Sequence, residues 1–264
     1  MKVDDVVKSY DELKKAVTAS PAAKSYINNV NESGRIAVHF SKNMRVDSYT
    51  IVNNKTNRMP TNTPEFIHDY IDTVYEYQYG IPYRSEALFT YVRDINNTAS
   101  GLYYVIPVGD SLDMMYVNGI TDFYLQLLQD LDEIADAVVS NLGVDDMEHV
   151  YVSKLTDVIA ENIEQVEEED TRQRIVLANR DFLPQSIQKK ILSDDFVNLV
   201  KKEMLNHVDK MIKGNVIDNV NLGDISKEEL HIHSERFVLI NSTWAETVAK
   251  EKGINVQSLF KSMI

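Results

Sequence analysis

The order in which strand-like and helical segments follow one another constrains this chain more than any other feature. Residues 119–213 carry apolar side chains at helical spacing almost throughout, as in Phe123, Leu127 and Leu131. Stretches rich in aromatic and β-branched residues, which favour strands, occur before this block and again after it. The order therefore predicts an α/β or α+β fold in which a helical lobe is inserted into a domain built around a small mixed sheet.

The same pattern divides the chain into three zones. Residues 1–118 are interpreted as the strand-rich half of the main domain, residues 119–213 as the helical insertion, and residues 214–264 as the return to the main domain. The last zone is expected to contribute one strand and a C-terminal helix. At least three helices should form the insertion and pack through their apolar stripes. Gly143 can end the first of them, and the third is predicted over Asp194–Ile212. The acidic run at residues 167–170 is interpreted as a solvated helix face or turn. The side chains predicted to form these stripes are Phe123, Leu127, Leu131, Leu199 and Met204.

Two segments of the first zone carry clear local signals. The run LYYVIPVG at 102–109 is almost entirely apolar, which is typical of a central strand covered on both faces. At Thr63 and Pro64 the chain has an N-cap residue followed by a residue suited to the first helical turn, and Gly80 can end the helix that follows. Further strands are predicted over residues 34–41, 47–54 and 86–92.

Composition excludes several classes of function. The chain of 264 residues has no cysteine, which excludes disulfides, thiol catalysis and cysteine-ligated zinc. Its 27 basic and 41 acidic residues leave a net charge of −14, which disfavours general binding to nucleic acid or to anionic membranes. The N-terminal residues are too acidic for a signal peptide. The chain is therefore expected in a reducing cytoplasm, or inside a particle assembled there.

The late segment ISKEELHIHSERFVLIN contains the densest group of candidate functional side chains. As a strand, it would place Glu229, His231, His233 and Glu235 on one face, with Leu230 and Ile232 on the other. A carboxylate beside imidazoles can polarise a hydroxyl or stabilise a developing positive charge. Two alternatives stay open. The segment fits an edge strand with a polar outer face, and Glu229 with the two histidines has the spacing of a metal site.

The motifs of the common nucleotide-binding folds do not occur in this chain. It contains neither GxxxxGK[ST] nor GxGxxG, so a P-loop or Rossmann site is not expected.

Two parts of the chain resemble a family of phage proteins. The family pattern begins with the turn Arg-x-Pro-x-x-Thr at residues 58–63, a helix around His-Asp, an Arg-Ser pair and a Phe-x-Thr strand. An apolar strand ending in Pro-x-Gly follows, and a glutamate with alternating residues lies near the C-terminus. The resemblance covers residues 58–124 and 228–241, about half of the chain.

This pattern is in turn similar to the strand layout of ADP-ribosyltransferases, which implies a set of roles. By that resemblance Arg58, or alternatively Arg84, would bind the pyrophosphate of NAD, since a guanidinium binds phosphate oxygens bidentately. Phe89 and Thr90 would support the nicotinamide pocket. Glu229, or its neighbour Glu228, would be the catalytic glutamate. The resemblance also implies that the arginine and Glu229 lie on adjacent or facing strands, and that the acceptor is a host macromolecule.

The chain departs from the transferase pattern at several places. Tyr91 and Val92 stand where small hydroxyl residues are usual, and Ser226-Lys227-Glu228-Glu229 replaces a Glu-x-Glu motif. Two hypotheses therefore stand as alternatives to enzymatic activity. One is a non-catalytic structural or virion-packaged phage protein that keeps the fold as a scaffold and binds other virion proteins. The other, resting only on the acidic charge, is an inhibitor of a basic host protein.

Overall fold

The computed structural model describes residues 3–40, 46–58, 63–97, 101–142, 146–163, 166, 169–179 and 185–264. The chain forms two compact units. The first contains the sheet and comprises Met1–Met59, Asp72–Thr121 and Asn215–Ile264, and the second, which is helical, comprises Pro60–Ile71 and Asp122–Gly214.

The sheet of the first unit has eight strands in the order β2-β8-β4-β1-β3-β7-β5-β6. The strand β4 is buried along its whole length, as the apolar run predicted. The strands are β1 (Arg35–Phe40), β2 (Tyr49–Asn53), β3 (Leu88–Asp94), β4 (Leu102–Val108), β5 (Asp113–Val117), β6 (Val216–Ile217), β7 (Leu230–His233) and β8 (Arg236–Asn241).

Every strand pair within the described residues is antiparallel, so the prediction of a small mixed sheet was wrong in its detail. The broader prediction of a protein that combines helices with a sheet is confirmed. The physical reason for the error is that strand direction is set by pairing between distant segments. A residue pattern predicts where a strand lies, but the pairs β1–β3, β1–β4 and β4–β8 join segments that are not consecutive in the chain.

The late segment forms two strands rather than one, and this forces the sheet to curve. Only Ser234 and Glu235 separate β7 from β8, yet β7 pairs with β3 and β8 pairs with β4 on the other side of β1. Four strand spacings of a flat sheet measure roughly 19 Å, which is about twice the reach of the short link. Ser234 stabilises the corner because its buried hydroxyl donates to the carbonyl oxygens of Val108 and Ser111.

Four helices of the first unit pack with the sheet around one hydrophobic core. Within this core the rings of Tyr104 and Phe260 meet edge to face at 5.5 Å, and Tyr26 is fully buried. Nearby side chains cap the starts of several helices. In the helix that begins at Pro21, for example, the hydroxyl of Ser20 accepts a hydrogen bond from the Ala23 amide. These helices are α1 (Val3–Thr18), α2 (Pro21–Ser33), α11 (Ser242–Glu251) and α12 (Val256–Lys261).

Two further helices lie between β2 and β3. Helix α3 (Glu65–Tyr79) ends at Gly80, which has a left-handed φ of 76° and donates its amide to the Glu76 carbonyl oxygen. The short helix α4 (Tyr83–Glu86) follows at once and precedes β3. The helix predicted after Pro64 is thus confirmed. Helix α4 was not predicted, and it overlaps the strand predicted over residues 86–92 at Glu86 alone.

The second unit contains helices that pack through buried apolar side chains. Phe123, Leu127 and Met204 are buried as predicted, while Leu131 and Leu199 are half-buried. Gly143, predicted as a helix end, and Glu167 and Glu168 of the acidic run lie outside the described residues. The helices are α5 (Phe123–Gln129), α6 (Leu131–Leu142), α7 (Asp146–Glu161), α8 (Glu169–Asn179), α9 (Gln185–Ile191) and α10 (Asp194–Ile212). Across the described part of the chain, no helix has the length and apolar character needed to cross a membrane.

Candidate functional site

The candidate site forms where α4 and β3 meet the start of β7. Asp72, on α3, holds this junction in place, since its Oδ1 accepts from the backbone amides of Arg84 at 2.6 Å and Ser85 at 3.2 Å. These bonds act on amides in the first turn of the short helix, where the Ser85 amide also donates to the Pro82 carbonyl oxygen. They also direct α4 towards β7, which it contacts. The Arg84 side chain is buried at this contact.

Arg84, Glu229, His231 and Phe89 form a compact cluster, which we refer to as the Glu229 cluster. The Oε2 of Glu229 lies 3.5 Å from Arg84 Nη1 and 3.4 Å from His231 Nε2. Residues Phe89 and His231 are directly opposite in the β3–β7 register, and their rings are 4.7 Å apart. The Arg84 guanidinium carbon lies 4.8 Å from the centroid of the Phe89 ring. One carboxylate is thus held between a cation and an imidazole, with an aromatic ring beside both.

The charged side chains of the Glu229 cluster are largely shielded from solvent. The side chain of Arg84 is 8% exposed and that of Glu229 is 19% exposed. Burial lowers the pKa of the His231 imidazole, although the Glu229 carboxylate opposes this change. Among the described residues, neither His231 Nδ1 nor the buried hydroxyl of Tyr75 has a hydrogen-bond partner. Burial also raises the pKa of Tyr75, which responds to the charges of Arg84, Asp72 and Glu229 and so lies close to the cluster.

Glu228, the second candidate for the catalytic glutamate, points away from this cluster into a set of backbone amides. Its Oε2 accepts from the amides of Ser226 and Lys227, and its Oε1 accepts from the Gly119 amide. Burial alone would raise the pKa of Glu228, but these hydrogen bonds together lower it to about 2. Glu228 is therefore a stabilising carboxylate of the loop before β7, and of the two glutamates it is Glu229 that contacts Arg84 and His231.

Arg58 approaches the same region from the chain that follows β2. Its backbone amide donates to the Ser85 carbonyl oxygen, and its Nη2 donates to Asn54 Oδ1 at 3.1 Å. The side-chain amide of Asn54 in turn donates to the Glu86 carbonyl oxygen. Arg58 is therefore linked to α4 directly through its backbone and, by way of Asn54, through its side chain. Burial lowers the pKa of Arg58, and no described residue accepts from its buried Nε. His39, on β1, feels the charge of Arg58, and its pKa is lowered mainly by burial.

The two arginines differ from their expected placement, whereas Thr90 lies on a strand as predicted. Neither Arg58 nor Arg84 lies on a strand, because Arg58 follows β2 and Arg84 lies on α4. Thr90 lies on β3 but is completely buried, and its hydroxyl donates to the Leu230 carbonyl oxygen. Thr90 therefore stabilises the β3–β7 pair, while its neighbour Phe89 contacts the Glu229 cluster. The remaining residues of the 59–62 turn lie outside the described residues.

The alternation predicted for the late segment holds as far as His233. Leu230 and Ile232 are buried on one face, while His233 lies on the opposite face with its Nδ1 3.7 Å from Asp113 Oδ2. Glu235 is instead exposed in the corner before β8. Within the described ranges, no three His, Asp or Glu side chains are arranged to hold a metal ion.

Two members of this region escaped the sequence analysis, Asp72 and Tyr75. Tyr75 continues the buried helical stripe of Ile67 and Ile71, so its burial was detectable from spacing. Its closeness to Arg84 and Glu229 was not, because it depends on the docking of α3 against β7. Asp72 has no sequence signal that distinguishes it from other polar helix residues.

Together these features define an antiparallel α/β protein with a buried arginine–glutamate–histidine cluster at one strand end. No protein family model, curated protein or solved structure matches the chain.

Proposed function

We propose that this protein is an ADP-ribosyltransferase of phage type that transfers ADP-ribose from NAD to a host macromolecule, with Glu229 as its catalytic glutamate. The single observation that carries the proposal is the Glu229 carboxylate held between Arg84 and His231 at the end of the strand paired with Phe89 and Thr90. The phage-family resemblance of residues 58–124 and 228–241 supports the same assignment, and the proposal includes a location in the host cytoplasm or in the virion.

The chemistry requires one bond to break and one to form. The bond between the ribose C1′ and the nicotinamide nitrogen breaks, and its electron pair neutralises the pyridinium ring. The acceptor nucleophile then bonds to C1′ and loses its proton to solvent. Glu229 would stabilise the positive charge that develops on the ribose, by accepting a hydrogen bond from a ribose hydroxyl. A carboxylate that is already fixed in place does this without reorganisation.

The two arginines suit different parts of this reaction. Arg84 is buried and directed at Glu229, so it fits a positioning residue that orients the carboxylate. Arg58 is only half-buried, and beyond its bond to Asn54 its guanidinium offers further donors. Arg58 therefore fits the group that binds the pyrophosphate of NAD. Phe89, half-buried between Arg84 and His231, fits an aromatic surface for the nicotinamide ring.

The test is NAD binding by calorimetry, together with transfer of labelled ADP-ribose to proteins of a host lysate. The wild type should bind NAD and label a discrete acceptor. Glu229→Gln should bind NAD with nearly the same affinity but lose transfer by on the order of 100-fold or more, because the amide keeps the shape but cannot stabilise positive charge. Glu235→Gln, an exposed glutamate of the same segment, is the matched control and should keep full transfer.

One observation favours a second candidate, a non-catalytic virion protein that retains the fold. Arg84 and Glu229 neutralise each other in a partly dry environment, as ion pairs with a structural role commonly do. Absence of NAD binding to the wild type at millimolar ligand would rule out the transferase and leave this scaffold as the better description.

A further inference from the structure

A cleft separate from the Glu229 cluster lies within the first unit, where the end of α3 and the start of α4 face the beginning of β5. Its volume is about 390 Å³, which is enough for a small organic molecule or one long side chain. The side chains that determine its chemistry are Tyr79, Tyr83, Asp113 and Asp218. No lysine, arginine or histidine is among the lining residues that the structure describes.

The two tyrosines give the cleft a fixed aromatic wall. Both rings pack edge-on against the buried Tyr75, Tyr79 at 6.3 Å and Tyr83 at 6.1 Å between ring centroids. Tyr83 is 4% exposed, so it is held by its surroundings as well as by Tyr75 and in turn backs the cleft wall. Tyr79 is only half-buried, and a ring held in this way offers an electron-rich surface at little cost in side-chain entropy.

The two aspartates make the cleft electronegative. Burial raises the pKa of Tyr83 and the charges of Asp113 and Asp218 raise it further, so both carboxylates act on the same ring. Burial likewise raises the pKa of Tyr79, with a further contribution from Asp218. Asp113 is also 3.7 Å from His233 Nδ1, whereas Asp218 is exposed. An anion such as the pyrophosphate of NAD would be repelled from this position.

We infer that this cleft binds an organic cation, a guanidinium or ammonium group that lies against Tyr79, next to Tyr83, and pairs with Asp113 and Asp218. Aromatic faces attract cations through the ring quadrupole, and carboxylates supply charge-assisted hydrogen bonds to the same group. The remaining polar lining, which includes Ser25 and Asn219, can accept further hydrogen bonds. The inference does not depend on the proposed transferase activity, because none of its residues belongs to the Glu229 cluster.

The experiment is a titration of the isotope-labelled protein followed by NMR. The probes are agmatine as a small molecule that carries both a guanidinium and an ammonium group, the blocked peptide acetyl-Gly-Arg-Gly-amide as a protein-like source, and N-butylurea as a neutral shape analogue. Agmatine or the peptide should shift the signals of Tyr79, Tyr83, Asp113 and Asp218, and N-butylurea should not. Tighter binding of the peptide would identify a protein side chain as the natural occupant, and tighter binding of agmatine would identify a small amine.

The double variant Asp113→Asn/Asp218→Asn should weaken cation binding by roughly tenfold or more, since both charge-assisted partners are lost. The double variant Asp11→Asn/Glu12→Gln is its matched control, because it removes the same charge from exposed positions of α1. Equal weakening by both variants would show that the net charge of the protein, and not the cleft, determines cation binding, and this would overturn the inference. Equal binding of N-butylurea and agmatine, or no shifts in the cleft with any probe, would overturn it as well.

Discussion

Glu228 and Glu229 are adjacent in the chain, but their carboxylates bind different kinds of groups. Glu228 Oε2 accepts from the backbone amides of Ser226 and Lys227 at 2.9 and 3.0 Å. Glu229 Oε2 instead lies 3.5 Å from the Arg84 guanidinium. Because successive residues of an extended chain point in opposite directions, one of the pair can stabilise a loop while the other enters the cluster.

The first prediction concerns the loop that Glu228 stabilises. Glu228→Gln should lower the free energy of unfolding at pH 7 by about 2–3 kcal/mol, because an amide is a weaker acceptor and places an NH₂ against backbone donors. Chemical denaturation measures this loss. Glu251→Gln, an exposed glutamate at the end of α11, should change stability by less than about 0.5 kcal/mol.

The pH dependence of the same variant checks the cause. The pKa of Glu228 in the folded protein is about 2, below its value of roughly 4.5 in the unfolded chain. Its contribution is therefore complete above about pH 4.5 and is lost as the pH falls towards 2. The stability difference between wild type and Glu228→Gln should narrow over that interval. A difference that stays constant from pH 7 to pH 3 would show that the carboxylate charge is not what stabilises the loop.

The second prediction concerns the ion pair between Arg84 and Glu229. Arg84→Met should destabilise the fold by about 2–4 kcal/mol, because it leaves the Glu229 charge in a largely dry position. Adding Glu229→Gln to this variant should recover part of the loss, which gives a coupling energy of about 1–3 kcal/mol in a double-mutant cycle. Strictly additive effects would mean that the two charges do not interact.

The sequence predicted single elements better than their association. Asp194–Ile212 was predicted as a helix with the bounds that the structure gives, and the apolar run at 102–109 became a central strand. Both depend on local periodicity, which is visible in the residues themselves. The strand β5 was missed, since its residues Asp113 and Met114 are only half-buried and lack a strong alternating pattern.

The Glu229 cluster shows the same division between local and long-range information. Glu229 and His231 were identified as candidates from residue type and strand alternation, and Arg84 from the resemblance to the transferase layout. Their association requires α4 to form just before β3 and β7 to pair with β3, and the second of these depends on contacts distant in sequence. The corner at Ser234 could not be foreseen either, because the strand-like pattern runs on through it.

The third prediction concerns protonation of His231. Burial keeps its pKa below the value of roughly 6.5 in an unfolded chain, so below that pH the unfolded state binds a proton that the folded state does not. Stability should therefore fall as the pH drops below about 6.5, with a slope of at most about 1.4 kcal/mol per pH unit from this residue. His231→Gln should reduce the slope between about pH 6.5 and 5. An unchanged slope in unfolding measurements would place the titration elsewhere, for instance at His39, whose pKa burial also lowers.

The fourth prediction separates the roles of the two arginines in the proposed transferase. Arg58→Ala should raise KM for NAD by roughly 10- to 100-fold with little change in kcat, because a charged donor to the pyrophosphate is lost equally from the bound substrate and the transition state.

Arg84→Lys should do the opposite. It keeps the charge but loses the planar guanidinium beside Glu229 and Phe89, so kcat should fall by roughly tenfold while KM stays nearly constant. Arg93→Ala is the control, since Arg93 lies on β3 but packs against Phe40 at 5.1 Å from its ring, and both constants should stay at wild-type values. If Arg84→Lys raised KM instead, Arg84 would be the residue that binds the pyrophosphate. The Glu229 carboxylate would then have to exchange its arginine partner for the substrate before transfer could occur.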